Sequence, residues 1–265
     1  MPGLTFENGF ETQAGPNKRH NEDAAWWMPA GATGCDMVRL WAVADGIGGN
    51  GGGRMASHTA CANLHSYYKR LPAKKGSPTA DTLNRCLVET IFIIDRRIRR
   101  LSSADPSWTH MGTTLSCLVL TAAGSIIAHV GDSRIYRWRK SRLYCLTTDH
   151  TFVQDMIFEG AVDPDQAHRH PLRHMLTRAV GTAEPLSHVD TRIDRIQPGD
   201  RFLLCTDGLY AALGENHMAA ILNGRSNSHN TALTLVYKAL SMGARDDTTA
   251  LVVDVNEDGA SSHWS

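Results

Sequence analysis

The sequence is short of several features that would each point to a particular kind of protein. It has no excess charge, because 27 Lys and Arg residues balance 27 Asp and Glu residues, so attraction to nucleic acid or to an anionic membrane has no support. No apolar run approaches the roughly 18 residues of a membrane span. Residues 1–15 lack the basic start and the apolar stretch of a secretion signal. We therefore expect a cytoplasmic protein that binds neither nucleic acid nor membrane.

Closely spaced cysteine pairs are also missing. The six cysteines are scattered and form no Cys-x-x-Cys pair, so neither a disulfide framework nor a thiolate zinc site is indicated. We expect them to be reduced and mostly buried. They are Cys35, Cys61, Cys86, Cys117, Cys145 and Cys205.

The composition is typical of a folded globular chain, with 42% hydrophobic and 20% charged residues. A length of 265 residues suits one large or two small domains. No repeat divides the chain, and soft segments are confined to the first dozen residues, residues 72–78 and the tail after residue 257. The sequence therefore predicts one domain over residues 1–265, with its core at about residues 12–256.

Strand-like and helix-like periodicities alternate along the chain. Apolar residues recur every three or four positions over residues 77–101, which predicts a long amphipathic helix with Ser77 as its cap and Pro78 as its first residue. Further helices are predicted at residues 54–68 and 230–242. Strands are predicted at residues 37–44, 114–121, 125–130, 135–139, 143–146, 188–193, 201–205 and 248–255.

These elements predict a mixed α+β layered fold. Several predicted strands are apolar at both alternating positions, so we expect sheets that are covered on both faces. Residues 149–181 differ, because short helical pieces rich in His and Pro indicate an inserted flap. His168, Arg169, His170 and His174 in this flap are interpreted as surface or substrate-facing groups, since their spacing does not fit a tetrahedral metal site.

Five aspartates stand at the ends of predicted strands or in tight turns. One interpretation is local, because Asp and Gly dominate turns. The other is collective, because carboxylate oxygens without a His or Cys pattern nearby suit hard divalent cations such as Mg²⁺ or Mn²⁺. Spacing along the chain leaves both interpretations open. The five are Asp23, Asp45, Asp132, Asp207 and Asp246.

Two nearby patterns resemble other sites but fail in detail. The glycine-rich run at residues 45–53 is followed by Arg54 and Met55, not by the Lys and Ser or Thr of a phosphate-binding loop. It is either a merely permissive loop or one that lets the backbone approach a metal or ligand. Ser133 is interpreted as a turn hydroxyl, because the Asp-x-x-His pair that a serine esterase of this type needs near the chain end is missing.

Seven short motifs follow one another in an order that is specific even though each motif alone is weak. Over about residues 15–255 they resemble the metal-dependent protein serine/threonine phosphatases (PPM family, type 2C), in the compact bacterial form. The motifs are Asn21-Glu22-Asp23, Val43-Ala44-Asp45-Gly46, Met111-Gly112-Thr113-Thr114, His129-Val130-Gly131-Asp132-Ser133-Arg134, Asp149-His150-Thr151-Phe152-Val153, Cys205-Thr206-Asp207-Gly208-Leu209 and Asp246-Asp247-Thr248-Thr249.

The resemblance implies a four-layer α/β/β/α sandwich, in which two antiparallel sheets are flanked by helices and a flap lies beside the active site. It also implies a dinuclear centre of two tightly bound Mn²⁺ or Mg²⁺ ions. By similarity, Asp45 bridges both ions, the Gly46 carbonyl binds one, and Asp207 and Asp246 hold the other.

The remaining acidic residues have implied roles around this centre. Asp23 would lie at or just behind the ligands, and Asp132 would join Asp207 at a weaker third metal site. The implied reaction is hydrolysis of phosphoserine and phosphothreonine on proteins by a metal-activated water. Phosphorylated proteins are the expected substrates, with a cognate serine/threonine kinase as partner and a monomeric enzyme.

The sequence departs from the family pattern at three positions. Family members usually carry an Arg that clamps the phosphate three residues before the Asn-Glu-Asp motif. This chain has Lys18 there, and either Lys18 or the adjacent Arg19 takes the role. Ile47 stands where many eukaryotic members have a His, so protonation of the leaving group is assigned to a metal-bound water. Asp247 replaces the usual Asn.

Two other functions remain alternatives. A catalytically impaired relative could bind phosphoproteins as a regulator, but the intact Asp45, Asp207 and Asp246 argue against it. A small-molecule phosphatase would use the same centre on a different substrate class.

Overall fold

A computed structural model describes residues 3–29, 38–71 and 78–258. Two five-stranded antiparallel sheets pack face to face, and helices cover the outer face of each sheet. The predicted α+β four-layer sandwich is therefore confirmed. The strands are β1 (Leu4–Gln13), β2 (Ala24–Trp27), β3 (Val38–Ala44), β4 (Gly46–Ile47), β5 (Gly112–Thr113), β6 (Leu115–Thr121), β7 (Gly124–Val130), β8 (Arg134–Arg139), β9 (Arg142–Cys145), β10 (Asp190–Asp194), β11 (Arg201–Cys205) and β12 (Thr248–Glu257).

The helices divide between the two outer layers. The helix α1 packs on β2 and β3 and α2 packs on β7, whereas α4 and α5 pack on the opposite sheet against β12. One sheet has the strand order β1-β12-β11-β8-β9 and the other β10-β7-β6-β3-β2, with β4 and β5 as a separate ribbon. The helices are α1 (Gly52–Asn63), α2 (Ala80–Ala104), α3 (Phe152–Phe158), α4 (Asp207–Leu222) and α5 (Ser228–Ser241), with 3-10 turns at Leu64–Arg70, Pro106–Trp108 and Pro164–Arg169.

Three apolar layers hold the sandwich together. Between the sheets, Trp41 and Phe202 are fully buried, and each such side chain stabilises the fold by about 1.5–3 kcal/mol. A second layer joins α1 and α2 to one sheet, and a third joins α4 and α5 to the other. The apolar stripe predicted for residues 77–101 lies in this second layer, where Leu87, Ile91 and Ile94 are fully buried.

The boundaries of two predicted helices differ from the prediction. Thr79 caps α2, because its side chain accepts a hydrogen bond from the Thr82 amide, so the helix begins after Pro78. The predicted cap Ser77 lies outside the described residues. The helix predicted at residues 54–68 begins earlier, at Gly52, and continues after Asn63 as a 3-10 turn.

Two of the longer elements, β1 and α4, were absent from the prediction, as were the short strands β2, β4 and β5. The first dozen residues, expected to be soft, contain β1, which pairs with β12 along its whole length. Only one face of β1 is apolar, with Leu4, Phe6 and Phe10 packed between the sheets, so its strand signal is weak. No helix was predicted at residues 207–222, where α4 begins at Asp207 and bends at Gly214, whose φ is 65°.

The cysteines follow the expectation where they are described. Cys61, Cys86, Cys117 and Cys205 are buried and free, whereas Cys145 is free but exposed. The sixth, Cys35, lies outside the described residues. None of the helices in the described part of the chain is both long enough and apolar enough to cross a membrane.

Candidate functional site

Two of the five aspartates reach the site from the sheet that packs on α1. Asp23 precedes β2 and Asp45 follows β3. The antiparallel register sets Ala24 opposite Ala44, so both carboxylates lie at the same end of these strands. The fold therefore brings together two residues that are 22 positions apart in the sequence.

The other three aspartates come from the opposite sheet or from the connection to it. Asp207 follows β11, and Asp246 lies two residues before β12. Cys205 pairs with Ala250, so these two chain segments meet at one end of the sheet. Asp132 lies in the turn from β7 to β8, where the chain passes from one sheet to the other.

Four of the five carboxylates line one cavity of about 750 Å³, together with Lys18 and Gly46. They are Asp45, Asp132, Asp207 and Asp246. The local interpretation of these residues as independent Asp-Gly turns does not account for this convergence.

Asp23 lies behind the wall of the cavity and is 4% exposed. Its Oδ2 accepts hydrogen bonds from Thr206 Oγ1 at 2.8 Å and Thr249 Oγ1 at 2.6 Å. Its Oδ1 is buried and has no hydrogen-bond partner. Hydrogen bonds to Oδ2 therefore hold the carboxylate in place, and Oδ1 is free to contact another group.

The backbone packs closely around the cavity. A Cβ on Gly46 would lie 2.2 Å from the Gly53 carbonyl oxygen, and one on Gly208 would lie 2.1 Å from the Asp247 carbonyl oxygen. Each position therefore needs glycine. The run at residues 45–53 is thus a site of close backbone approach, where α1 packs on β4.

The carboxylates repel one another in a poorly solvated space. Burial raises the pKa of Asp45 well above its ordinary value, and the charges of Asp23, Asp207, Asp132 and Asp246 raise it further. Burial and the neighbouring aspartates also raise the pKa values of Asp23 and Asp132. The cluster is therefore destabilising unless positive charge enters it.

The donor set fits hard divalent cations. Asp23 Oδ1 and Asp207 Oδ1 are both buried without a hydrogen-bond partner, and a buried carboxylate oxygen without a partner is unfavourable. Oxygen ligands of this kind suit Mg²⁺ and Mn²⁺. Across the described ranges, no three His, Cys, Asp or Glu side chains already stand at the spacing of a formed metal site. The carboxylates instead line the wall of an open cavity, and two of the basic side chains in its lining contact them.

The first of these cationic side chains is Lys18. Its Nζ lies 2.5 Å from Asp246 Oδ1 and 3.4 Å from Asp247 Oδ2. Burial alone would lower the pKa of Lys18, but the hydrogen bond to Asp246 and the surrounding carboxylates raise it above its ordinary value. Arg19 points elsewhere and lines a neighbouring cavity. The structure thus brings Lys18, and not Arg19, to the carboxylates.

Asp247 anchors the loop that carries Lys18. Its side chain is 1% exposed, and its two oxygens accept hydrogen bonds from the amides of Gly15 at 2.9 Å and Glu22 at 2.8 Å. The extra negative charge noted in the sequence is therefore balanced by two backbone donors and the Lys18 ammonium.

The second basic side chain, His174, comes from the flap, residues 149–181. His174 Nδ1 lies 3.3 Å from Asp207 Oδ2, and this hydrogen bond raises the pKa of His174. His168 and His170 do not line the cavity. The four polar flap residues grouped by the sequence therefore separate, and only His174 contacts a predicted site residue.

The turn that carries Asp132 is fixed by its neighbours. Tyr210 donates a hydrogen bond to the Asp132 carbonyl at 3.1 Å, and the Arg134 guanidinium lies 3.8 Å from the centre of the Tyr210 ring. Arg134 also binds both oxygens of Asp149, at 2.8 and 2.7 Å. Ser133 is fully buried, in agreement with its interpretation as a turn hydroxyl.

A buried polar network ties both ends of the flap to this turn. His150 Nδ1 accepts a hydrogen bond from the Gly131 amide at 3.0 Å, and its Nε2 lies 3.2 Å from Asp190. Arg178 binds the same Asp190 at 2.7 Å. Arg178 and the cavity-lining residues beyond the flap, Thr182 and residues 184–187, were not predicted from the sequence, because no local pattern marks them.

Comparison with known families gives one match over most of the chain. Residues 17–238 match the family described as Protein phosphatase 2C. Among individual proteins, the chain is 33% identical over 245 residues to the serine/threonine phosphatase stp of Listeria monocytogenes, which spans 92% of this chain and 94% of that protein.

Solved structures agree in fold. The serine/threonine phosphatase of S. agalactiae superposes with a TM-score of 0.84 at 26% identity, over 94% of this chain and 99% of that one. The catalytic domain of the serine threonine protein phosphatase PstP, in complex with 2 manganese ions, superposes with a TM-score of 0.78 at 28% identity, over 96% and 100% of the two chains.

Proposed function

The chain belongs to the protein phosphatase 2C family and is a serine/threonine protein phosphatase, and we propose that its carboxylate cavity hydrolyses phosphoserine and phosphothreonine with two bound divalent cations. The convergence of four aspartates from both sheets on one cavity carries this proposal. The match in family and the manganese ions in PstP support the choice of Mn²⁺ or Mg²⁺.

Four groups would hold the two cations: the Asp45 carboxylate, shared by both, the Gly46 carbonyl, and the Asp207 and Asp246 carboxylates. Asp132 would share Asp207 with a weaker third ion. When bound, the cations would supply an activated water at neutral pH and neutralise the phosphoryl oxygens.

Asp23 would act from behind this ligand set. Two threonine hydroxyls donate hydrogen bonds to its Oδ2. Its Oδ1, which has no hydrogen-bond partner, is the oxygen that could bind a cation. This arrangement favours a carboxylate that orients the centre without lining the substrate cavity.

The protein side chains bind and orient the phosphoester. Lys18 is proposed as the clamp for non-bridging phosphoryl oxygens, because its ammonium lies among the cavity carboxylates. A lysine is a compact point charge, so it attracts the phosphoryl group without the fixed two-pronged geometry of an arginine. Thr182 and residues 184–187, which line the same cavity, would contact the chain on either side of the phosphorylated residue.

Further features of the enzyme are part of the same proposal. We expect one phosphatase domain over residues 1–265, with residues 149–181 as a flap. We also expect a cytoplasmic monomer that reverses the action of a cognate serine/threonine kinase. Size and oligomeric state can be measured by light scattering, and the substrates by phosphoproteomics after deletion of the gene.

The test is release of phosphate from p-nitrophenyl phosphate and from a phosphothreonine peptide as Mn²⁺ is varied. The native enzyme should require Mn²⁺, and Asp207→Ala should abolish turnover. Asp81→Ala, in the first turn of α2, removes an exposed carboxylate elsewhere and should leave it unchanged. Turnover that is independent of metal and unaffected by Asp207→Ala would reject the proposal. A clear preference for sugar phosphates over phosphopeptides would overturn the protein-substrate assignment.

A further inference from the structure

A second cavity, of about 940 Å³, opens beside the carboxylate cavity. The two share three lining residues, Lys18, Glu22 and Gly48. A peptide chain that leaves the first cavity on this side therefore enters the second directly. Because an extended chain advances roughly 3.3 Å per residue, the second cavity is within reach of side chains two or three positions from the phosphorylated residue.

The second cavity has the opposite charge to the first. Arg19 and Arg54 line it, both are exposed, and neither forms an ion pair with any residue in the described parts of the chain. Glu22 is the one acidic residue in its lining. That carboxylate already accepts a hydrogen bond from the Arg54 backbone amide and lies 3.9 Å from Lys18.

Two exposed imidazoles complete the polar lining, His20 and His58. Burial and the neighbouring Arg54 charge lower the pKa of His58, so it is a neutral hydrogen-bonding group at pH 7. The cavity thus combines two guanidinium groups that form no ion pair within the described residues with two imidazole hydrogen-bonding groups, a set that recognises a carboxylate or a phosphate.

A purely structural role does not explain the two arginines. Lys18 is the cation that contacts Asp246 and Asp247 in the described structure, so the two arginines are not needed to neutralise these carboxylates. Arg19 and Arg54 line a cavity that contains none of the five clustered aspartates. Their guanidinium groups face solvent in a recess, where an anion can approach them.

We propose that this cavity is a subsite for an anionic side chain of the substrate, either a carboxylate or a second phosphate, close in sequence to the phosphorylated serine or threonine. The proposal rests on the proposed function, because it assumes that a phosphoprotein occupies the carboxylate cavity. It makes Arg54 a determinant of substrate choice.

The experiment compares phosphothreonine peptides that differ only two or three positions from the phosphorylated residue. At that position the first set of peptides carries Asp or Glu, the second a second phosphothreonine, the third Ala and the fourth Lys. Each set is made with the varied position before and after the phosphorylated residue. The native enzyme should show a kcat/KM about 3- to 10-fold higher for at least one anionic set than for Ala, the size expected of a partly solvated ion pair. The carboxylate and second-phosphate sets separate the two sources of the anion.

Variants show which arginine is responsible for the preference for anionic peptides. Arg54→Gln should remove it mainly through KM, and Arg54→Lys, which keeps the charge, should retain most of it. Arg97→Gln removes the same charge from a cavity that shares no residue with either site, and it should change nothing. Turnover of p-nitrophenyl phosphate should stay the same in all three variants.

The outcomes separate this inference from the proposed function. If the native enzyme does not prefer anionic peptides, or if Arg54→Gln keeps the preference, the subsite assignment is wrong. The same conclusion follows if Arg97→Gln lowers the preference as much as Arg54→Gln. In each case Mn²⁺-dependent turnover of the alanine peptide would still support the phosphatase function, and only its loss would reject both.

Discussion

The two ends of the sandwich treat their carboxylates in opposite ways. At the end away from the cavity, three aspartates each bind an arginine from another strand. In one of them, burial alone would raise the pKa of Asp194, but the Arg195 amide and the Arg137 guanidinium lower it. The three pairs are Asp194 with Arg137, Asp200 with Arg139 and Asp254 with Arg201.

At the cavity end, none of the five clustered aspartates binds an arginine within the described residues. The pKa values of Asp23, Asp45 and Asp132 are raised by burial and by the charges of neighbouring aspartates. Within the described residues, arginines therefore pair with the three aspartates at the far end, which stabilise the fold, and not with the five clustered aspartates at the cavity end. The difference indicates that the missing positive charge comes from bound cations.

The comparison makes its largest prediction for Asp45. Asp45→Asn should lower kcat/KM with Mn²⁺ on the order of 10³-fold, because metal-based stabilisation of the transition state is worth several kcal/mol. The free energy of unfolding without metal should not fall, since the change removes one of several mutually repelling charges. Phosphate release and urea denaturation in EDTA measure the two effects. Unchanged activity would remove Asp45 from the centre.

The opposite end should respond in the reverse way. Asp254→Asn leaves Arg201, whose side chain is 8% exposed, without its partner carboxylate. Loss of one partner of a buried pair should lower the free energy of unfolding by about 3 kcal/mol. Turnover per folded molecule should stay the same. Urea denaturation measures the change in stability, and kinetics normalised to the concentration of folded enzyme measure the turnover. A loss of kcat without a loss of stability would contradict the division between the two ends.

Mild acid should weaken the histidine network beside the cavity. Burial, followed by the neighbouring His150, lowers the pKa of His129 to about 3 from an ordinary value near 6.5. The stabilisation due to neutral His129 is therefore present above pH 6.5 and is lost as the pH falls toward 3. Between pH 7 and pH 5 this amounts to ~2 kcal/mol. Denaturation of the native protein and of His129→Gln across that range measures it, and equal slopes would contradict it.

The smallest effect is expected at Asp247. Asp247→Asn keeps one acceptor oxygen in place of two, so either the Gly15 or the Glu22 amide loses its partner. The free energy of unfolding should fall by about 1 kcal/mol. Turnover should fall a few-fold through KM, because the loop that positions Lys18 is loosened. Kinetics that match the native enzyme would show that Lys18 is positioned by other contacts.

Much of the fold could be predicted from periodicity, because packing against one layer leaves a regular pattern. The stripe of α2 is one example, since Leu87, Ile91 and Ile94 mark a buried face. Elements with weak local signals were missed. One face of β1 is polar, and α4 begins with an Asp-Gly pair that also suits a turn and is broken at Gly214.

The site could be predicted only as a set of residues with a family resemblance. Its assembly depends on strand register between distant segments, which no local pattern contains. The choice between Lys18 and Arg19 depends on a loop anchored by Asp247, and the contact of His174 with Asp207 depends on how the flap folds back. These are tertiary contacts, so the sequence left them open.

The most direct test of the central claim, that the clustered carboxylates hold divalent cations, is the thermal unfolding of the protein as Mn²⁺ is added to the metal-free form. Mn²⁺ at about 100 times its dissociation constant should stabilise the native protein by about 2.7 kcal/mol per site. Asp254→Asn should unfold at a lower temperature but show the same shift, whereas Asp45→Asn should lose it. A native protein that does not respond to Mn²⁺, or an Asp45→Asn variant that responds equally, would contradict the account.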